Sequence, residues 1–315
     1  MKLSDGIKSY LDYLVLRKLT PKHIGHLQTR LKGLKLFLGD IELEAITPEL
    51  IQSYLRTPHL QKLARGTFNH YIAHCRGFFT YCHDMGYMPK NPAQMLQFVK
   101  EEQRIIEYLS VDEIKRLLRV RYPYEHNKDG YQIRDQLAFR LAIFCGLRSS
   151  EIRSLRWEDV SWEQKEIFIR QGKNLKDRIV PIPPAYRKLM KWLKAAYLAR
   201  RGAQYHQPKD ENEFVIDGYS YGMKPSRHVK MQAHTLNLAL RRNLEHAKIK
   251  KKWPHMHMLR HTCGTMYVRG KPNQRGMDIR VVQELLGHTS IRTTEKYVHV
   301  DKSLLKQEME RTSPV

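Results

Sequence analysis

The sequence lacks the features that mark secreted, membrane-spanning and disulfide-stabilised proteins. It has four cysteines in 315 residues, and no two of them form a C-x-x-C pair. Such sparse cysteines favour a reducing compartment over a disulfide framework. No apolar run approaches the ~20 residues of a membrane helix, and the N-terminus has no apolar signal-peptide region. We therefore expect a cytoplasmic protein with no membrane partner.

Acidic residues are also far fewer than basic residues. Lys and Arg number 56 against 32 Asp and Glu, which leaves a formal net charge of +24. The excess extends along the chain, since residues 1–100 alone hold 14 basic and 7 acidic side chains. A basic surface of this extent is typical of proteins that bind a polyanion, and nucleic acid is the polyanion we expect. A charged surface that serves only solubility is the alternative.

Residues 1–100 are predicted to form a domain of four helices. Apolar residues recur there at helical spacing, and Thr47 followed by Pro48 is a typical helix start. A longer helix carries apolar residues from Phe68 to Cys82 on one face, which we interpret as core rather than as a surface for stacking bases. Four polar residues off that face are candidates for contacts with DNA phosphates, with a solvated surface as the alternative: Lys62, Arg65, Asn69 and Arg76.

A charged linker over residues 101–109 is predicted to lead into a second domain over 110–315. Ser110 opens it as the first residue of a capping box. Helical patterns dominate, but residues 166–171 and 177–183 alternate between apolar and polar side chains as strands of a hairpin do. The second domain is therefore predicted to be mainly helical with a small antiparallel sheet.

Four segments of this domain carry residues suited to chemistry on a phosphate. They are GLRSSEI at 146–152, the hairpin loop with Lys173, HMHMLRH at 255–261, and ELLGH at 284–288 with Tyr297 in the helix that follows. Each segment alone also has a structural explanation, such as an Arg–Glu pair at a helix start, a solvated lysine on a turn or a tyrosine in a core.

The first and third segments place cations where an anion would bind. We expect Ser149 or Ser150 to cap the helix after Arg148, and Glu151 to orient the Arg148 guanidinium. His257 and Arg260 share one helical face at spacing i, i+3, where both present hydrogen-bond donors to the same anion.

A phosphodiester reaction needs a nucleophile, a proton donor for the leaving oxygen and positive charge around the pentavalent transition state. The sequence shows no carboxylate cluster to hold Mg²⁺, and Met258 stands where the zinc motif H-E-x-x-H requires Glu. We therefore expect neither a metal nor another cofactor, with a zinc site as the alternative. Two Arg, one Lys and two His predict a metal-free phosphate clamp, which suits a Tyr nucleophile because the covalent ester conserves bond energy for resealing.

The four segments, in this order and with these gaps, resemble the signature of the tyrosine recombinase (phage integrase) family. The family includes phage integrases, Xer-type resolvases and mobile-element integrases. The resemblance covers nearly all of the second domain. It implies a helical, SAM-like core-binding domain at the N-terminus and a mostly helical α+β catalytic domain after it.

The resemblance also implies the roles of individual residues. Arg148 and Arg260 would bind the non-bridging oxygens of the scissile phosphate, and Tyr297 would attack it to form a 3′-phosphotyrosyl link. Lys173 would protonate the 5′ oxygen, with Lys176 as the competitor for that role.

Four further residues would assist in the same active site. His257 and His288 would stabilise the transition state and help to move the proton of the tyrosine. Glu151 and His261 would support these catalytic side chains.

Two segments are longer than we expect for the family, namely 201–230 and 269–276. Lys271 and Arg275 in the second are further candidates for contact with DNA. The partners implied are double-stranded DNA with specific recombination sites, accessory DNA-bending factors, and further copies of the chain in a tetramer on DNA. Residues 300–315 would form a tail helix that docks on a neighbouring subunit, with docking on its own domain as the alternative.

Two other functions share these features. A type IB topoisomerase-like enzyme would relax DNA with the same tyrosine, and a non-catalytic architectural protein would bind DNA only. The role itself would be integration or excision of a mobile element, or resolution of DNA dimers.

Overall fold

The computed structural model describes residues 1–101, 106–121, 131–170, 177–184, 188–189, 191, 193, 214–216, 230–270, 276–288, 290–291 and 294, apart from the side chains of 131 and 133. The chain divides into two compact units, Met1–Arg104 and Ile105–Val315. Among the described residues, no helix is both long and apolar enough to cross a membrane.

Apart from an isolated bridge between Lys2 and Glu42, the regular elements described in the first unit are all helices. Its helices are α1 (Leu3–Leu16), α2 (Pro21–Leu38), α3 (Pro48–Leu55), the single turn α4 (Pro58–Gln61) and α5 (Arg65–Asp84). The predicted start of α3 is confirmed, because the hydroxyl of Thr47 accepts a hydrogen bond from the backbone N–H of Leu50 and Pro48 follows it.

The aromatic face of α5 lies in the core of the first unit, against α1 and α2. Phe78, Phe79 and Cys82 have no exposed surface, and Ile72 and Cys75 are buried beside them. This confirms that the apolar face of α5 is core. Long helices that bury one apolar stripe against each other form a stable module without a sheet.

The second unit is mainly helical with a small sheet, as predicted. Its described helices are α6 (Val111–Arg119), α7 (Tyr131–Phe144), α8 (Ser149–Ser154), α9 (Ala233–His246), α10 (Met256–Arg269) and α11 (Ile279–Leu286). The strands β1 (Val160–Ser161), β2 (Glu166–Ile169) and β3 (Arg178–Pro181) pair antiparallel in the order β1-β2-β3. The sequence predicted β2 and β3 but not the two-residue β1. Outside this sheet, Phe214 forms an isolated bridge with Arg156.

The close packing of α7 on α10 determines where the site lies. Just after α7, the chain reverses at Gly146, whose φ of 63° favours glycine. A Cβ at this position would lie 2.5 Å from Cδ2 of Leu286 and 3.2 Å from Sγ of Cys263. The end of α7, the middle of α10 and the end of α11 therefore meet at this glycine, and Arg148 follows it by two residues.

Two leucines of α2 test the packing of the first unit. Leu34 has no exposed surface, whereas Leu36 is 77% exposed on the same helix. We expect Leu34→Ala to lower the free energy of unfolding by about 2–5 kcal/mol, because it leaves a cavity in the core. The control Leu36→Ala should change it by less than about 0.5 kcal/mol. Urea unfolding of the whole chain measures both, and equal effects would contradict this packing.

Candidate active site

The carboxylate of Glu151 lies at the centre of three arginine side chains. Arg178 binds it with two parallel hydrogen bonds, from Nη1 to Oε1 at 2.9 Å and from Nη2 to Oε2 at 2.8 Å. Arg148 donates from Nη1 to Oε1 at 2.7 Å and from its backbone N–H to Oε2 at 2.8 Å. Nη1 of Arg260 lies 3.9 Å from Oε2. We call these four residues the arginine cluster.

The C-terminal end of α11 binds the same three arginines. The carbonyl oxygens of residues 285, 286 and 287 accept hydrogen bonds from Arg178, Arg260 and Arg148, in that order, with distances of 3.3 Å for the first and 2.7 Å for the last. The last carbonyl groups of a helix have no partner within the helix and carry partial negative charge. The end of α11 therefore stabilises the concentrated positive charge of the arginine cluster.

Gly287 is required where α11 ends. It adopts the left-handed conformation, with φ 60° and ψ 49°, and its N–H closes the last turn on the carbonyl of Glu284. A Cβ at this position would lie 3.1 Å from the side chain of Arg178. The glycine thus leaves room for an arginine and directs the chain toward His288.

Glu151 is ionised over the whole physiological pH range. Burial raises the pKa of its carboxyl group, but the hydrogen bonds and charges of Arg178, followed by those of Arg148, outweigh burial and hold the pKa at about 2. The arginine cluster therefore contains three positive charges and one negative charge, and its net positive charge is available to attract an anion.

The expected serine cap of α8 is wrong. Arg148 stands at the N-cap position, where its backbone N–H donates to the carboxylate of Glu151, and neither Ser149 nor Ser150 caps the helix. The hydroxyl of Ser149 is buried without a hydrogen-bond partner. The ion pair of the arginine cluster therefore replaces the usual cap at the start of α8.

Three histidines near the arginine cluster are held neutral. Burial, together with the positive charge of Arg260, lowers the pKa of His257 to about 4 and that of His288 to about 3. For His261, burial and then the neighbouring His257 lower the pKa to about 3, and the two rings meet edge to face at 4.4 Å between centroids. Nδ1 of His288 lies 2.8 Å from Oγ1 of the buried Thr294.

Arg260 and His257, both on α10, differ in their access to solvent. Arg260 is fully buried, and its Nη1 donates to the carbonyl of Gly146 at 2.5 Å. His257, three residues earlier, keeps an exposed side. A neighbouring group would have to move before an anion could contact Arg260 directly, but the charge of Arg260 acts at the site in either state.

Three residues expected at the site, Lys173, Lys176 and Tyr297, lie outside the described residues, and so do the candidate DNA contacts Lys271 and Arg275. Among the described residues, no three His, Cys, Asp or Glu side chains are grouped to hold a metal ion. The described part of the site is therefore a cluster of cations and neutral imidazoles, suited to binding a phosphate and to stabilising negative charge that develops on it.

Known protein families match both units. The sequence model for the phage integrase family matches residues 107–303, and the model for the phage integrase N-terminal SAM-like domain matches residues 7–85. The chain belongs to the phage integrase family. The expected family and the enzyme class, tyrosine recombinase, are therefore confirmed.

One relative and two solved structures illustrate the similarity of this integrase-family enzyme to known proteins. A tyrosine recombinase of Pseudothermotoga lettingae is 32% identical over 299 residues, which cover 93% of each chain. A lambda integrase dimer bound to a core site has a TM-score of 0.72 at 17% identity, with 96% of each chain covered. A lambda integrase tetramer bound to a Holliday junction has a TM-score of 0.68 at 17% identity, covering 92% of this chain and 78% of the other.

Three of the four candidate DNA contacts in the first unit bind the irregular chain near the end of that unit. The side-chain amide of Asn69 accepts from the N–H of Val99 at 2.8 Å and donates to its carbonyl at 2.9 Å. Arg65 donates to the carbonyl of Lys100, and Arg76 donates to the carbonyl of residue 96. These contacts fix residues 96–101 along α5 and compete with any contact from the same groups to DNA. The fourth candidate, Lys62, is exposed at the end of α4.

Arg178 is the site residue that reasoning from the sequence missed. It belongs to the hairpin segment GKNLKDRIVPIP, where it is the first residue of β3. A basic residue on a short strand is usually solvated, and its spacing gives no sign of Glu151, which lies 27 positions away. Only the fold brings the two together.

The lowered histidine pKa values predict sensitivity to acid. Since the folded protein holds these pKa values near 3–4, below the ordinary 6.5, the unfolded chain takes up protons first as the pH falls. The free energy of unfolding should therefore decrease from pH 6.5 to pH 5. His261→Gln should make this decrease smaller, and the exposed control His59→Gln should not. Urea unfolding at several pH values measures the slope, and equal slopes for all three proteins would contradict the account.

Proposed function

We propose that this integrase-family enzyme cuts and rejoins double-stranded DNA at specific sites through a 3′-phosphotyrosyl link formed by Tyr297, without metal or ATP. The observation that carries the proposal is the arginine cluster, which concentrates positive charge beside neutral imidazoles. This combination suits a phosphoryl transfer in which the protein, rather than a metal ion, stabilises the pentavalent transition state.

In the first step, a tyrosine, two arginines and a histidine would each have a part. The phenolic oxygen of Tyr297 would bond to the phosphorus as the bond to the 5′ oxygen breaks. Arg148 and Arg260 would stabilise the non-bridging oxygens. His257 or His288 can accept the phenolic proton, because both rings are neutral before DNA binds.

The leaving group needs a proton of its own. Lys173, or its neighbour Lys176, would protonate the 5′ oxygen and release a 5′ hydroxyl. Rejoining reverses the step, since a 5′ hydroxyl of the partner strand attacks the phosphotyrosyl bond and the tyrosine leaves. No bond energy is lost in the exchange, so the cycle requires no ATP.

We also infer that the chain works as a tetramer on DNA in the cytoplasm, with its first unit as the core-binding domain. The fold shared with the lambda integrase structures on a core site and on a Holliday junction supports this assembly. The strongly basic first hundred residues are consistent with a DNA contact there. Two biological roles would fit such strand exchange: movement of a mobile element and resolution of DNA dimers.

Tyr297→Phe tests the nucleophile. The wild-type chain, incubated in EDTA with a nicked DNA duplex carrying a candidate recombination site, should give a protein–DNA adduct that persists on a denaturing gel. Tyr297→Phe should give none, because it removes the attacking oxygen and little else. The control Tyr13→Phe, on a partly exposed tyrosine of α1, should leave the adduct unchanged.

Three results would contradict the proposal in different ways. An adduct that survives Tyr297→Phe would exclude this nucleophile, and an adduct that EDTA abolishes would exclude metal-free chemistry. Relaxation of any supercoiled plasmid, without exchange between two sites, would identify a topoisomerase-like enzyme instead.

A further inference from the structure

Arg178 pairs with Glu151 through both of its terminal nitrogens and both carboxylate oxygens, at 2.9 and 2.8 Å. We infer that Arg178 is a positioning residue of the active site: it neutralises Glu151, so that Arg148 and Arg260 keep their charge for the scissile phosphate. The inference rests on the function proposed above and adds a residue to it.

The geometry distinguishes Arg178 from the other two arginines. Two parallel N–H···O bonds form the strongest pairing of a guanidinium with a carboxylate, and the side chain of Arg178 is only 11% exposed. Arg148 gives Glu151 a single side-chain bond and turns its other terminal nitrogen to the carbonyl of Gly287. Arg260 stays 3.9 Å from the carboxylate. Arg178 is therefore the main counterion of Glu151.

The charge balance gives this pairing a consequence for the reaction. With Arg178 present, the arginine cluster has three positive charges and one negative charge. Without it, Arg148 and Arg260 alone would have to neutralise Glu151, and one net positive charge would remain for the phosphate. The pKa of Glu151, held at about 2 chiefly through Arg178, agrees with this order of partners.

Arg178 also has a structural contact that must be separated from this role. Its Nε donates to the carbonyl of Leu285 at 3.3 Å, which ties β3 to the end of α11. Loss of that tie would impair the site whatever the charge of Glu151. A second substitution that removes only the charge of Glu151 distinguishes the two roles, because it restores the charge balance and leaves the tie broken.

The experiment compares Arg178→Met, Arg178→Lys and the double variant Arg178→Met with Glu151→Gln. Arg170→Met is the matched control, because Arg170 is an arginine at the end of β2 that pairs with Glu158 and Asp159 away from the arginine cluster. The readouts are the single-turnover rate of adduct formation on nicked site DNA, the affinity for that DNA and, for each variant, the circular dichroism spectrum.

We expect Arg178→Met to slow adduct formation by at least about tenfold, since it halves the net positive charge left to stabilise the transition state and a single donor there typically contributes more than this. DNA affinity should stay within about threefold, because many other cations share the binding. Arg178→Lys should recover part of the rate, and the double variant should be faster than Arg178→Met. The deficit of Arg178→Met should also shrink as the pH falls, because protonation of Glu151 restores the same charge balance.

Each other outcome overturns the inference. A rate for Arg178→Met equal to those of the wild type and Arg170→Met would show that Arg178 has no part in the reaction. A slow Arg178→Met that neither Glu151→Gln nor low pH improves would assign Arg178 to the structural tie alone. Should Arg178→Met fail to fold, Arg178→Lys and the double variant decide by the same criteria.

A measurement without DNA separates this inference from the proposed function. The wild type should lose stability as the pH falls from 4.5 toward 2, because the folded state holds the pKa of Glu151 low. In Arg178→Met this loss should be smaller than in Arg170→Met. If the wild type forms no adduct on any DNA, the proposed reaction fails even where this difference appears. If the difference is absent, the pairing inferred here fails even where the wild type cuts DNA.

Discussion

The carboxylate of Glu151 is the interaction on which the site depends. Three guanidinium groups, from α10, β3 and the start of α8, repel one another. They lie together because the buried carboxylate and three carbonyl groups at the end of α11 bind them. The glycines at 146 and 287 permit this approach, since a side chain at either position would meet a neighbouring side chain. The fold thus holds a net positive charge ready before any substrate arrives, and the pre-organised site needs no rearrangement of charge during the reaction.

The same charge determines the protonation of the neighbouring imidazoles. Burial and the nearby guanidinium groups keep His257 and His288 neutral in the free protein. A bound phosphate would bring negative charge against the same rings and raise their proton affinity. In the proposed reaction, the two imidazoles would then become better proton acceptors at the step in which Tyr297 would lose its proton. In the proposed reaction, this change in proton affinity would follow from the charge of the bound phosphate.

Sequence reasoning succeeded where the structural signal was local. The helix start at Thr47, the paired strands and the mainly helical class all follow from patterns within a few residues of each other. It failed where distant segments compete with local rules: an ion pair replaced the serine cap of α8, and Arg178 became part of the site through a partner far away in sequence. Asn69 shows the same limit, because its polar position on α5 gave no sign of the bonds to Val99. Tertiary contacts decide such cases, and neither periodicity nor spacing encodes them.

The central claim is that these cations converge on one phosphate within reach of Tyr297. A crystal structure of the Tyr297→Phe variant on uncut site DNA tests it most directly. The account predicts one phosphate within hydrogen-bond distance, about 2.7–3.2 Å, of the guanidinium groups of Arg148 and Arg260, with the ring of residue 297 facing the phosphorus. A phosphate bound elsewhere, or a residue 297 that lies on another surface in every subunit of the complex, would contradict it.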